Sequence, residues 1–384
     1  MKYIMVVGDG MADYPIDELD GKTPLEVSNK PNMDRLAGEG IVGLVKTIPD
    51  GMPAGSDVAN LTLLGYDPKR YYKGRASLEA ASMGITLKDD EIGMRCNLVT
   101  VRNGRMVDFS SGHIKTEEAA KIIKLIDEKL GSNKIKFYPG VSYRHLLIIH
   151  SSFLPHPFSL IATPPHNITG EKYADYLPKG EGSQILIELM EKSFEILKGR
   201  ENGNMVWFWG EGTSTTLPKL TDRFKIKGSA ISAVDLVKGL AILAGLKSLD
   251  VPGITGYYDT DYNAKARYGI SSLKDNDLVF IHIEAPDEAG HNKDVKNKIK
   301  AIEEIDKKII GYILENQKKE FRILLVSDHF TPISLGMHTN DPPPFVIWGK
   351  GIEKGDISCY NENCARDGVF FEDGTKLIEE FIKC

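Results

Sequence analysis

The sequence has little cysteine, no long apolar run and no excess of positive charge. Four cysteines, Cys96, Cys359, Cys364 and Cys384, stand among 384 residues, too few for a disulfide scaffold. Cys359 and Cys364 lack zinc-ribbon spacing and no second pair accompanies them, so thiolate metal binding is not expected. A reducing, cytoplasmic setting follows as the expectation. No stretch approaches the roughly 18 consecutive apolar residues of a membrane span, so no membrane partner is expected. The N-terminal apolar run breaks at Gly8-Asp9-Gly10, too early for a signal peptide, and reads as a first core strand. Lys plus Arg total 48 against 54 Asp plus Glu, a formal charge of −6, which argues against a nucleic-acid binder. Familiar motifs are missing too. Gly21-Lys22-Thr23 has Ile16 where a P-loop needs glycine, and Gly8-Asp9-Gly10 has Asp13 where a dinucleotide fingerprint needs its third glycine. Ser56 has Val58 where a hydrolase elbow needs glycine, and no His-Glu-x-x-His motif occurs.

What is present is an enzyme-sized chain, long enough for two or three domains. Apolar runs at 3–7, 278–283, 323–326 and 344–348 each end in a turn rich in Gly, Asp or Pro. Such runs suit strands covered on both faces, and helical periodicity at 117–130, 183–197, 232–243, 295–315 and 376–382 fills the gaps. The pattern predicts an α/β fold with a mostly parallel sheet. The middle differs. Strand-like runs at 94–101 and 105–109 flank Asn103-Gly104, a hairpin signal, with further strand-like runs at 141–150 and 204–209. Residues 151–177 are rich in Pro and His and read as loop. An inserted α+β domain over 73–227, between core segments 1–72 and 228–384, accounts for this arrangement. Gly74 and Gly228 at its ends are hinge candidates.

Acidic residues gather where strands end. Asp9 follows the first strand, Asp287 the strand at 278–283, and Asp328 with His329 the strand at 323–326. Open α/β sheets bind ligands at the carboxyl ends of their strands. Asp287 and His291, four apart, share one face of a helical turn, and His338 lies nine residues beyond His329. Carboxylates with imidazoles suit borderline divalent ions, and there are ligands enough for two, a recurrent solution for phosphoryl transfer. His282, inside a strand, reads instead as a hydrogen-bonded core histidine. Ser56 opens a predicted helix. Such a serine is an N-cap by default, but beside metals it would be an activated nucleophile.

Taken together, Asp9, Ser56, Pro286-Asp287-x-x-Gly290-His291, Ser327-Asp328-His329 and His338-Thr339 resemble the metal-site pattern of the alkaline phosphatase superfamily. More closely, the chain is similar to the archaeal-type cofactor-independent phosphoglycerate mutases. Asp9-Gly-Met-Ala-Asp13, Gly55-Ser-Asp-Val-Ala-Asn60, Pro165-His-Asn-Ile-Thr-Gly170 and Gly253-Ile-Thr-Gly256 carry that likeness. The resemblance implies a three-layer α/β/α alkaline-phosphatase-like core with the insert as a substrate-binding cap. It implies two divalent ions, Mn²⁺ foremost with Zn²⁺, Co²⁺ or Mg²⁺ as alternatives. One would be held by Asp9, Ser56, Asp328 and His329, the other by Asp287, His291 and His338. Ser56 would take the phosphate from 3-phosphoglycerate and return it to the 2-hydroxyl, without free 2,3-bisphosphoglycerate. Candidate contacts to this small phosphorylated acid are Asn60, His113, Arg144, His166 and Lys265, with Arg75 near the crossing into the insert. A metal-dependent phosphomonoesterase and a phosphotransferase on a small hydroxy acid, such as a homoserine kinase, are the alternatives. Oligomeric state is not legible.

Overall fold

Why the apolar runs become strands is visible in their burial. Ile4, Met5, Val6 and Val7 are all fully buried, as are Phe280 and Ile281, and Leu324 and Leu325. Neighbouring residues of a strand point to opposite faces, so a run buried at every position needs cover on both sides. A computed structural model describes residues 1–383 of the chain, so Cys384 lies outside the described residues. It divides into two units, Met1–Tyr72 with Thr216–Cys384, and Lys73–Thr215.

The first unit is built on an eight-stranded sheet. Its strands run in the order Val369–Phe371, Ile41–Val45, Pro344–Gly349, Phe321–Ser327, Lys2–Gly8, Leu278–Ile283, Gly228–Ile231 and Lys247–Ser248. Neighbours are parallel except around Pro344–Gly349, which is antiparallel to both its partners. On one face Ile4, Val6, Val279, Ile281, Ile323 and Leu325 pack with Leu25, Met33, Leu36, Ala266, Ala301, Ile302 and Ile309 of helices. The alternate residues Met5, Val7, Phe280, Leu324 and Phe345 are equally buried on the other face. The predicted mostly parallel α/β sheet is thus present.

The long helical pattern after position 295 is interrupted. Val295–Glu304 and Gly311–Asn316 are joined by a π-helical segment, Ile305–Ile310. There the buried Asp306 accepts hydrogen bonds from Met33 N (2.7 Å) and Asn32 Nδ2 (2.9 Å). Residues 216–227, which the sequence reading gave to the insert, belong to this unit. Tyr66 Oη donates to Pro218 O (2.7 Å), Arg223 Nη1 to Gly65 O (2.9 Å), and Leu220 N to Ala244 O (2.8 Å). Gly228 opens a sheet strand paired with Leu278 and lies inside this unit, away from its limit at Thr216. One disulfide, Cys359–Cys364, departs from the expectation drawn from the cysteine count. The turn into the short helix Glu362–Ala365 brings the two Cα atoms to 6.0 Å, within bridging range.

The second unit holds a five-stranded antiparallel sheet around Glu91–Arg102, which pairs with Arg105–Asp108, Arg144–His150 and Met205–Thr213. The Asn103-Gly104 hairpin forms, with both residues at positive φ. Helices Thr116–Leu130 and Ser183–Ile196 bury Ile122, Ile123, Ile126, Leu186, Leu189 and Met190 in one core with the sheet. The Pro-rich stretch is loop broken by short 3₁₀ turns at Pro157–Ser159, Pro165–Ile168 and Tyr173–Tyr176.

Candidate active site

Sheet register assembles the site. Gly8 pairs with Ser327 on one side and with Ile283 on the other. The residues that follow these three strands therefore leave the sheet at one level. Asp9 and Asp328 emerge directly, while Asp287 arrives on the helix Ala285–His291, which Pro286 starts in its first turn. That helix places His291 one turn beyond Asp287, with Nε2 3.3 Å from Asp287 Oδ2. A loop returns His338 from the far end, its Nε2 3.2 Å from Asp287 Oδ1 and 2.9 Å from His291 Nε2.

Two clusters result. The ligand atoms of Asp9, Asp328 and His329 lie within 4.8 Å of one another, as do those of Asp287, His329 and His338. His329 is common to both. Its Nε2 is 3.3 Å from Asp9 Oδ1, 3.6 Å from Asp328 Oδ2 and 3.1 Å from Ser56 Oγ. All seven predicted metal positions, the predicted nucleophile Ser56 among them, are brought together. Ser56 is not the cap of its helix, as its type suggests by default. Gly55 takes that position and Ser56 is the first helical residue of Ser56–Leu63.

The charge balance shows what these clusters can hold. Asp9 is almost fully buried and its Oδ1 has no hydrogen-bond partner. Burial first, then the charges of Asp328, Asp287 and Glu284, push its carboxyl well above the usual range. A buried carboxylate oxygen without a donor, among like charges, fits a cation. Burial opposes ionisation of Asp287, but hydrogen bonds to His291 and His338 and the charge of His329 outweigh it and hold its carboxyl low. Asp328 is held at about 2 against its burial, chiefly by His329 and His282. The hydrogen bond to Asp287 raises His291 to about 9. His291 Nδ1 lies 3.0 Å from Gly336 O and His329 Nδ1 3.2 Å from Thr331 Oγ1, which turns both Nε2 atoms inward. These residues suit two divalent cations beside a serine hydroxyl.

Two predicted substrate contacts are corrected here. Asn60 is fully buried, and its Nδ2 donates to Ser56 O (2.8 Å) and Asp328 Oδ2 (2.9 Å), so its amide orients site residues. Lys265 is 0% exposed, and its Nζ donates to Glu284 Oε2 (2.5 Å) and His282 O (2.7 Å), which enclose it in protein. His282 is buried as expected but is not hydrogen-bonded. Its Nε2 stands 3.4 Å from Asp9 Oδ2 and its Nδ1 3.4 Å from Glu284 Oε1.

The other three fall together on the second unit. His113 packs on Tyr143, Tyr143 on Phe109, Phe109 on His166, and His166 on Trp209, with ring centroids 5.4–6.3 Å apart. The guanidinium of Arg95 lies 3.9 Å from the Trp209 ring centroid, that of Arg75 5.9 Å from it, and that of Arg144 6.0 Å from Tyr143. Burial, then Arg95 and Arg75, lower the pKa of His166. Arg95 is buried and ion-paired with Glu79 (2.9 Å), so the arginines beside this aromatic platform that suit an anion are Arg75 and Arg144. Sequence reasoning missed Arg95 and Trp209. The available signal was Arg95 in the interior of the mostly apolar run Glu91–Arg102.

Comparisons with known proteins agree with this geometry. Residues 37–202 match the family model described as 2,3-bisphosphoglycerate-independent phosphoglycerate mutase. The chain is 46% identical over 381 residues to 2,3-bisphosphoglycerate-independent phosphoglycerate mutase 2 of Methanothermobacter thermautotrophicus, covering 96% of this chain and 94% of that one. It is 44% identical to the 2,3-bisphosphoglycerate-independent phosphoglycerate mutase of Methanothrix thermoacetophila, with 100% of both chains covered. A solved Pyrococcus horikoshii protein superposes with TM-score 0.81 at 32% identity, over 99% of this chain and 96% of that one. The cofactor-independent phosphoglycerate mutase of Thermoplasma acidophilum shares the fold, with TM-score 0.67 at 23% identity over 100% and 99% of the chains. Since the likeness to the two methanogen enzymes runs through the strand ends and both units alike, the chain belongs to the 2,3-bisphosphoglycerate-independent phosphoglycerate mutase family.

Proposed function

We propose that Ser56 carries the phosphoryl group between the 3- and 2-hydroxyls of phosphoglycerate, beside two divalent cations. The observation that carries this reading is the position of Ser56 Oγ, 3.1 Å from Nε2 of His329, the residue common to both acidic clusters. Asp9, Ser56, Asp328 and His329 would hold one cation, and Asp287, His291 and His338 the other, with Mn²⁺ the first choice for such a mixed set. When bound, the cations lower the serine pKa and neutralise charge on the phosphoryl oxygens.

Ser56 Oγ forms a bond to phosphorus as the bond to the substrate O3 breaks, and the proton lost by the serine ends on O3. The 2-hydroxyl then bonds to phosphorus, Oγ leaves, and the serine regains a proton. Asn60 fixes the Ser56 backbone and Asp328 during both transfers. Arg75 and Arg144 of the 73–215 unit, with His113 and His166 beside them, carry the guanidinium groups suited to a phosphate and a carboxylate. The relatives are named as mutases, which favours this reading over phosphomonoesterase or homoserine kinase activity.

The test is conversion of 3-phosphoglycerate to 2-phosphoglycerate coupled to enolase, with Mn²⁺ and without 2,3-bisphosphoglycerate. Ser56→Ala should abolish turnover. Turnover surviving in Ser56→Ala, or phosphate release in place of 2-phosphoglycerate, would refute it.

A further inference from the structure

Lys298 is not itself a candidate ligand, and it is fully buried. Its Nζ donates to Asp13 Oδ2 (2.6 Å), Thr331 O (2.8 Å) and Ala12 O (3.3 Å). Those acceptors lie on two different loops. Ala12 and Asp13 follow Asp9; Thr331 follows Asp328 and His329. The helix that carries Lys298, Val295–Glu304, follows closely on the helix that carries Asp287 and His291. One ammonium therefore joins three of the ligand-bearing segments, those of Asp9, of Asp287 with His291, and of Asp328 with His329.

The grip extends to the ligands themselves. Thr331 Oγ1 donates to Asp287 Oδ1 (2.5 Å) and is 3.2 Å from His329 Nδ1, so it touches a member of each cluster. There is no spare room around it. A Cβ at Gly10 would meet Thr331 Oγ1 at 2.4 Å, and one at Gly290 would meet Thr331 O at 2.4 Å. Asp13 completes the tie, accepting from Ile333 N (3.1 Å) while its own N donates to Glu362 Oε1 (2.9 Å). A lysine is an expensive group to bury, and an ion pair alone is weak evidence of a gain in stability. Three acceptors on two ligand loops make geometry the better account of its presence.

We propose that Lys298 is a positioning residue of the metal centre, acting through Thr331 and the Asp13 loop to hold the two ligand clusters in binding geometry before the cations arrive. This rests on the two-cation reading above. Outer partners of ligands typically change metal affinity by about 10- to 100-fold when removed.

The test is Mn²⁺ binding by calorimetry on folded full-length protein. Lys298→Met alone leaves Asp13 buried and unpaired and can fail to fold. The double variant Asp13→Asn/Lys298→Met removes both charges, and Thr331→Val removes only the hydroxyl. Both are expected to keep the parent circular dichroism and to bind Mn²⁺ at least about tenfold more weakly. A purely structural role would lower the unfolding midpoint and leave the Mn²⁺ dissociation constant unchanged. Parental affinity in both folded variants would overturn the proposal while leaving the metal reading standing. A parent protein that binds no Mn²⁺ would overturn the metal reading and this one with it.

Discussion

Lys265→Met separates a buried structural charge from a substrate contact. The side chains of Lys265 and Glu284 are 0% and 3% exposed, with 2.5 Å between Nζ and Oε2. Glu284 Oε1 also accepts from Ser232 Oγ (2.9 Å) and Ala233 N (2.8 Å). Burial pushes the Glu284 carboxyl up, but Lys265 and His282 outweigh it and hold the group well below the usual range. Methionine fills the lysine's volume and leaves an uncompensated buried carboxylate. Breaking such a pair costs about 3–5 kcal/mol, against a total of roughly 5–15 kcal/mol for a domain. At roughly 2–4 °C per kcal/mol, the unit's melting temperature should fall by about 6–20 °C. Differential scanning calorimetry of the full chain reads this directly. The deficit should shrink on acidification, as the orphaned carboxyl takes up a proton, and Lys265→Met/Glu284→Gln should recover most of it. A Lys265→Met protein that melts with the parent and shows only a raised KM for phosphoglycerate would refute the reasoning and return Lys265 to the substrate.

Glu362 is pushed up to about 7 by burial, from 4.5. The folded state therefore keeps a proton that the unfolded chain releases between those values, and stability should fall by about 3 kcal/mol as pH rises through that window. Glu362→Gln should flatten the fall in urea titrations at pH 5 and pH 8, and an unchanged slope would contradict this. His291, at about 9 without metal, holds a proton at neutral pH that a cation on Asp287 and His338 must displace. Mn²⁺ affinity should rise from pH 6 to pH 9 and calorimetric heats should scale with buffer ionisation enthalpy; heats independent of buffer would rule out the release. The Cys359–Cys364 bridge closes a short loop, with a sequence separation of five residues. Cys359→Ser should cost about 2 kcal/mol, seen as a lower urea midpoint that dithiothreitol does not lower further. Equal midpoints for parent and variant under oxidising conditions would count against the bridge.

Strand ends were the most legible part of this molecule. An apolar run with a Gly-Asp or Ser-Asp-His stop states both a buried strand and the chemistry at its end, because period and burial are written in the residue types. The helix at Thr116–Leu130 and the Asn103-Gly104 hairpin were readable for the same local reason. What sequence did not reveal was the inward turn of polar side chains. Lys265 and Asn60 are residue types usually found in water or on ligands, and only tertiary packing aims them at Glu284 and Asp328. The π-helical Ile305–Ile310 keeps a helix-like apolar spacing, so its widening leaves no mark. The limit at Thr215 was missed because Leu220–Phe224 is amphipathic in either unit, and only its bonds to Gly65 and Ala244 decide.

All seven candidate ligands, Ser56 among them, come from residues 9–56 and 287–338, and Lys73–Thr215 contributes none of them. On the reading proposed above, chemistry and recognition are therefore written on separate stretches of one chain. The sheet ends tolerate little drift, since a shift of one residue at Gly8, Ile283 or Ser327 would carry a ligand away from its level. The inserted stretch is under no such restraint. Exchange of its arginines or loops would, on that reading, change the acid acted on and leave the phosphoryl chemistry in place.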